Sequence, residues 1–515
     1  MRLQYLAYLI FVFAVLSCSR KQPEGKPLGP PIPTAEMVGI SNLPDTIQQI
    51  VAPFPMPELK MPTFPELSVN IQDRGAIESE KITSVINEAI NEVSALGGGM
   101  VIIPKGSWSS GRIELKSNIN LHFEDSAIVQ FSGEPEDYRP AVFTRIEGYE
   151  VMSLGACIYA NGQDHIAITG NGKLIGPSEG PIRERIMDHD LIENVVDLSL
   201  PVSERIHDGS QQNWLFAPMF ISPINCTNVL IEGVSLEHTA FWNVVPIYCD
   251  TVIIRGVEVQ SVGIPRGDGI DIESSKNVLI EYCTLSSGDD CFTMKAGRGA
   301  DGLRVNKPTE NVVVRYCLAK EGHGGITCGS ETAGMIRNLY VHDCVFEDTG
   351  VGIRFKTRRP RGGGGENLYY ERIRMNTRYT VFKWDMLGST SSVGELANRL
   401  PEREVNELTP RYSNIFAKDL IIENGDHFLK VIGIPESPLT NLTIENAVVN
   451  CKQLIRVADL DGFTLKNIQI KADSSRIELT DTRNVVFKDV SFDIPEGQPL
   501  LNIQGGKSKN ISVGE

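Results

Sequence analysis

A short phrase recurs along the chain: one polar residue, most often Asn, followed by three to five positions that read as a strand. It stands at Asn228-Val229-Leu230-Ile231, Thr251-Val252-Ile253-Ile254, Asn277-Val278-Leu279-Ile280 and Asn311-Val312-Val313-Val314. It continues at Asn338-Leu339, Asn367-Leu368, Asn414-Ile415, Asn441-Leu442, Asn484-Val485 and Asn510-Ile511. Successive starts differ by 23 (251−228), 26 (277−251), 34 (311−277), 27 (338−311) and 29 (367−338) residues. Such periods mark a solenoid. A strand-turn-strand unit without a second helix predicts an all-β fold, a right-handed parallel β-helix of about ten or more coils. Ahead of the repeats, Ile82, Val85, Ile86, Ala89, Ile90, Val93 and Leu96 share one helical face, and Gly97-Gly98-Gly99 ends that helix. Its apolar stripe predicts an N-terminal cap on the solenoid. The rhythm breaks at about 177–214 and at 383–412; insertions in a solenoid emerge as loops on one face, often the binding face.

The first 67 residues read differently. Met1-Arg2 is a short basic start, and Leu3 to Leu16 is apolar apart from Gln4, which predicts a signal peptide over 1–17. The run closes in Val15-Leu16-Ser17-Cys18, which resembles a bacterial lipobox and implies lipidation at Cys18. Residues 18–67 are dense in proline and predict a semi-extended tether, so the folded β-helix domain is expected over 68–515. The protein is thus expected to be exported and membrane-anchored through lipid only, facing the periplasm or the cell surface. No apolar run reaches the roughly 18 to 20 residues of a membrane-spanning helix.

With 65 acidic against 49 basic residues, the chain of 515 carries a net charge of −16. That argues against a nucleic-acid partner, which needs a clustered basic surface. An acidic sugar polymer stays open if the site itself is locally basic. Nine cysteines follow Cys18, with no paired C-x₂-C zinc pattern. Some could form disulfides in an exported protein, but their places inside strand-like runs favour buried thiols.

Four clusters of reactive side chains fall on neighbouring coils: Gly267-Asp268-Gly269, Gly288-Asp289-Asp290, Gly322-His323-Gly324 and Arg354-Phe355-Lys356. Alone, an Asp-Gly pair marks a turn and a single His is usually structural. In this order, each about a coil apart, they gather three carboxylates, an imidazole and two cations on one face. Asp268 and Asp289 are 21 residues apart (289−268), which predicts that they stack at about 4.8 Å. Hydrolysis of a glycosidic bond needs one carboxylic acid and one carboxylate, and crowding of like charges holds one group protonated. Asp289 is expected to be that group, having one carboxylate neighbour in its own motif and another a coil away. An Arg and a Lys beside them suit the carboxylate of an acidic sugar.

The ordered motifs resemble those of family 28 glycoside hydrolases, the polygalacturonases and relatives, whose pattern is Asn-Thr-Asp, Gly/Gln-Asp-Asp, Gly-His-Gly and Arg-Ile-Lys. The resemblance runs from Ser68 to the C-terminus. It implies inverting hydrolysis of galacturonic acid linkages in polygalacturonan or rhamnogalacturonan of plant cell walls, with no metal and no cofactor. By position, Asp289 would be the general acid, Asp268 and Asp290 would hold the water, His323 would tune the acid, and Arg354 and Lys356 would bind the uronate. The chain departs from the pattern at Arg266-Gly267-Asp268 and at Phe355. A basic stretch, Lys295 to Thr309 with Arg298, Arg304 and Lys307, is expected to close one end of the groove and make the enzyme exo-acting. The alternatives are β-elimination by a pectate-lyase-like enzyme and a non-catalytic surface protein that binds polysaccharide.

Overall fold

A computed structural model describes residues 31–185, 192–210 and 213–513. The signal peptide expected over 1–17 and the lipidation site Cys18 lie outside the described residues. The rest is a right-handed parallel β-helix. Its main sheet holds 28 strands, and every pairing within it is parallel. One face stacks Asp164–Gly170, Thr227–Glu232, Asp250–Arg255, Lys276–Glu281 and Thr309–Arg315 in register, and continues to Lys509–Val513.

The recurrent Asn is explained by backbone geometry. Asn228, Asn277, Asn311, Asn338, Asn367, Asn414, Asn441, Asn484 and Asn510 all have φ between 53° and 58°. This left-handed corner is one that Asn tolerates better than most residues. Several corners also bond to the one before: Asn311 Nδ2 donates to Asn277 Oδ1 at 3.1 Å, Asn338 to Asn311 at 3.0 Å and Asn441 to Asn414 at 3.0 Å. The polar mark at the start of each phrase is therefore both the corner and a ladder along the axis.

The interior is apolar from end to end. Phe355 and Trp384 stack at 4.2 Å, and Phe382 continues the row at 6.4 Å from Trp384. All nine cysteines from Cys157 to Cys451 are buried free thiols, as their strand-like settings led us to expect. Helix Thr83–Ala95 buries Ile86, Ala89, Ile90 and Val93 against the first coils. Leu96 of its predicted stripe falls one residue beyond the helix and is exposed.

Residues 31–67 are extended apart from two single turns of 3-10 helix, Ala35–Met37 and Ile40–Asn42, but they are not a free tether. They run back along the outside of the solenoid. Arg374 Nε donates to the Pro33 carbonyl at 2.9 Å, Gly39 N to Tyr316 O at 2.8 Å, and Arg315 to Gln48 O at 2.8 Å. Leu59 closes over an outward-facing apolar row of Ala167, Leu230, Ile253, Leu279, Val313 and Tyr340. Proline supplies no competing N–H and prefers this conformation, so the strap lies flat at low entropic cost. We expect Leu59→Ala to cost about 2 kcal/mol and to leave kcat unchanged. An unmoved urea midpoint would mean that the strap is not docked.

Candidate active site

The reactive clusters sit where strands begin or alternate on one outer face. Ile270 pairs with Phe292, Phe292 with Ile326, and Ile326 with Ile353. Two residues before Ile270 and Phe292 stand Asp268 and Asp290, so the true stacking pair is Asp268 with Asp290. The expected pair, Asp268 with Asp289, is one residue out of register. Asp289 therefore faces differently: its side chain is 28% exposed, whereas those of Asp268 and Asp290 are 4% and 0% exposed. One oxygen from each of the three carboxylates lies within 4.8 Å of the others. On the next rung stands Gly324. A side chain there would come within 2.6 Å of an Asp290 oxygen, which is why the motif carries glycine after His323.

Charge balance is uneven across the cluster. Arg354 Nη1 donates to Asp290 Oδ1 at 2.9 Å and Lys356 Nζ to Asp290 Oδ2 at 2.7 Å. Burial alone would raise Asp290, but these two cations hold it far below the usual carboxylate range. Asp268 is pushed well above that range by burial and by Asp271, against the pull of Lys295. Asp289 is also raised by burial, but its hydrogen bond to His323, 3.0 Å from Nδ1, leaves it below its ordinary value. In the free site, then, the carboxyl kept protonated is Asp268 and not Asp289. The reason is that Asp268 is sealed from water beside Asp271, while Asp289 has an imidazole partner. That same bond raises His323, whose side chain is 61% exposed.

Arg354 and Lys356 are likewise not held for substrate alone. Each spends a donor on Asp290, but their side chains stay 23% and 22% exposed and keep further N–H groups toward the groove. Three residues to which the motifs assign no role, Lys295, Asp271 and Glu331, complete the site. Lys295 is buried, 3.6 Å from Asp268, 3.8 Å from Asp271 and 3.5 Å from Glu331, and its ammonium lies 4.3 Å from the centre of the Trp242 ring. Burial raises Asp271 to about 7 against the opposing charge of Lys295. Lys295 was legible only as the first residue of a basic stretch. Its partner Glu331 lies in no motif. The three carboxylates are close enough to share a cation, but three cationic side chains already sit against two of them.

The basic stretch Lys295 to Thr309 forms helix Gly299–Val305, and its two arginines are paired with carboxylates of the protein. Arg298 pairs with Glu193 at 2.8 Å, Glu331 at 2.7 Å and Glu147 at 3.1 Å, and Arg304 pairs with Glu150 and Asp301. With the antiparallel hairpin Val142–Ser153 it builds a wall beside the coil of Asp268. Arg145 reaches Glu273 at 3.4 Å and Arg266 reaches Glu147 at 3.3 Å. Ile146, Tyr149, Val151, Phe241 and Trp242 give that wall its own apolar core.

The model of "Glycosyl hydrolases family 28" matches residues 207–382, the stretch that holds all four clusters. A "Probable polygalacturonase" of Vitis vinifera is 25% identical over 378 residues, 72% of this chain and 71% of that protein. An "Exo-poly-alpha-D-galacturonosidase" of Dickeya chrysanthemi is 22% identical, over 57% of this chain and about half (52%) of the relative. The crystal structure of a hyperthermoactive exopolygalacturonase from Thermotoga maritima superposes with a TM-score of 0.69 at 29% identity, covering 78% of this chain and 93% of that one. The chain is a glycoside hydrolase, and the family it matches is family 28.

Proposed function

We propose that the protein hydrolyses glycosidic bonds of galacturonic acid in pectic polysaccharide, polygalacturonan or rhamnogalacturonan, acting from a chain end and with inversion. One observation carries the reading. Of three clustered carboxyls only Asp289 opens on the groove, next to two cations suited to a uronate. Asp289 is the general acid: ionised in the free site, it takes the proton of the bonded His323 and passes it to the leaving oxygen. His323, exposed to solvent, then takes up a new proton. Asp268 and Asp290 hold the attacking water between them, and Asp290, the ionised one of the two, takes its proton, which is why their close spacing does not require a covalent intermediate. Arg354 and Lys356 keep Asp290 ionised and offer their remaining donors to the sugar carboxylate.

Chain-end action is supported by the wall at the Asp268 side and by the exo-acting relatives. The test is product size. Short products released from polygalacturonate from the first minutes support the reading, and an early ladder of long oligomers refutes chain-end attack. An unsaturated, ultraviolet-absorbing product would move the protein to the lyases.

The apolar run ending at Cys18 supports a lipid anchor that holds the enzyme at the periplasmic or outer surface of the membrane. Cys18→Ala is expected to move the protein into the soluble fraction. A variant that stays wholly membrane-bound would refute the anchor.

A further inference from the structure

Arg354 is the first rung of a longer row. In the parallel sheet it pairs in register with Lys383, Lys383 pairs with Lys430, and Lys430 with Arg456. The residues that precede them, Ile353, Phe382, Leu429 and Ile455, are all buried, so the four cations share the outer face. Neighbouring rungs lie about 4.8 Å apart. The row leads away from the walled end and stops at Glu478, which pairs with Arg456 at 3.4 Å. A shallow depression of about 450 Å³, of mixed charge and lined by His427, Lys452, Arg456 and Arg476 together with Asp473 and Glu478, lies at its far end.

Like charges directly opposite one another on adjacent strands destabilise a sheet. Among the described residues no carboxylate lies within ion-pair distance of Lys383 or Lys430. Burial and the charge of Arg354 lower Lys383, and Lys430 adds to the effect against Asp385. A chain of net charge −16 has therefore stacked cations in single file with no internal partner for two of them. Such a row is costly alone and is relieved by an anionic polymer laid along it.

We propose that Lys383, Lys430 and Arg456 form a binding track for the carboxylates of a polyuronate chain beyond the cleavage site, toward the C-terminal coils. The track rests on the proposed polyuronate substrate, but it is tested by binding as well as by turnover. The triple variant Lys383→Gln, Lys430→Gln, Arg456→Gln is made in the active enzyme and in the Asp289→Asn background. We expect its affinity for polygalacturonate to fall about tenfold, the sum of three screened ion contacts, with a flatter dependence on salt. Turnover of digalacturonate stays unchanged, and the melting temperature stays level or rises as repulsion is relieved. Unchanged polymer affinity overturns the track. So does an equal loss on polymer and dimer, which would mean a general distortion. If the wild type cleaves no galacturonate and the triple variant still loses polymer affinity, the track stands and the proposed hydrolysis fails.

Discussion

Asp289→Asn is expected to lose between about a hundredfold and ten-thousandfold of the reducing-sugar release from polygalacturonate, the usual contribution of a positioned acid. Its urea midpoint and its affinity for the polymer should hold, because the amide keeps the shape and Asp289 is the part-exposed member of the cluster. A variant with more than a tenth of wild-type activity would remove Asp289 from the acid role. The same substrate settles the stereochemistry. With one oxygen of each carboxylate within 4.8 Å of the others, the spacing alone falls nearer the range associated with retention. We expect inversion, because two carboxylates hold one water. Proton NMR of the first-formed anomer decides: a product with the substrate's own configuration would put a carboxylate, not water, at the anomeric carbon.

Lys356→Met should have the second largest effect. It removes a charged hydrogen bond worth about 1.5–3 kcal/mol, so kcat/KM on polygalacturonate falls roughly ten- to a hundredfold. A carboxyl-reduced substrate should suffer much less, and equal losses on both would remove the uronate assignment. The pH profile carries a second readout. Asp290 is held low by Lys356 and Arg354 against its burial. Without the lysine its pKa rises, and the acid limb of activity moves to higher pH. Since the folded value is the depressed one, the pairing stabilises the fold above the ordinary carboxylate range and fades as pH drops toward the folded value. The variant should therefore lose stability near neutrality and little in strong acid.

The solenoid was legible because its corners write themselves into the sequence. A left-handed corner selects Asn, and Asn311, Asn338 and Asn441 mark coils by that need alone. The site was legible as four clusters, because chemistry confines the residue types. What the chain did not reveal is register. A single-residue offset made Asp290 the partner of Asp268, and only the pairing of Ile270 with Phe292 discloses it. The cationic row was hidden for a related reason: Lys383 and Lys430 are 47 residues apart (430−383) and Lys430 and Arg456 26 (456−430), so no fixed interval betrays them. Nor could proline content distinguish a loose tether from a docked strap, since both call for extended backbone.

The strap also dictates an order of events as the chain is made. Pro33 is bonded by Arg374, 341 residues further on, and Gln48 by Arg315, 267 further on. A segment synthesised early thus finds its place late, because its groove exists only once the coils up to Arg374 have been wound. Until then Ala167, Leu230, Ile253 and Leu279 stand uncovered on the outside. The half-made protein is therefore sticky along one side until the coil of Arg374 lets the strap close over it.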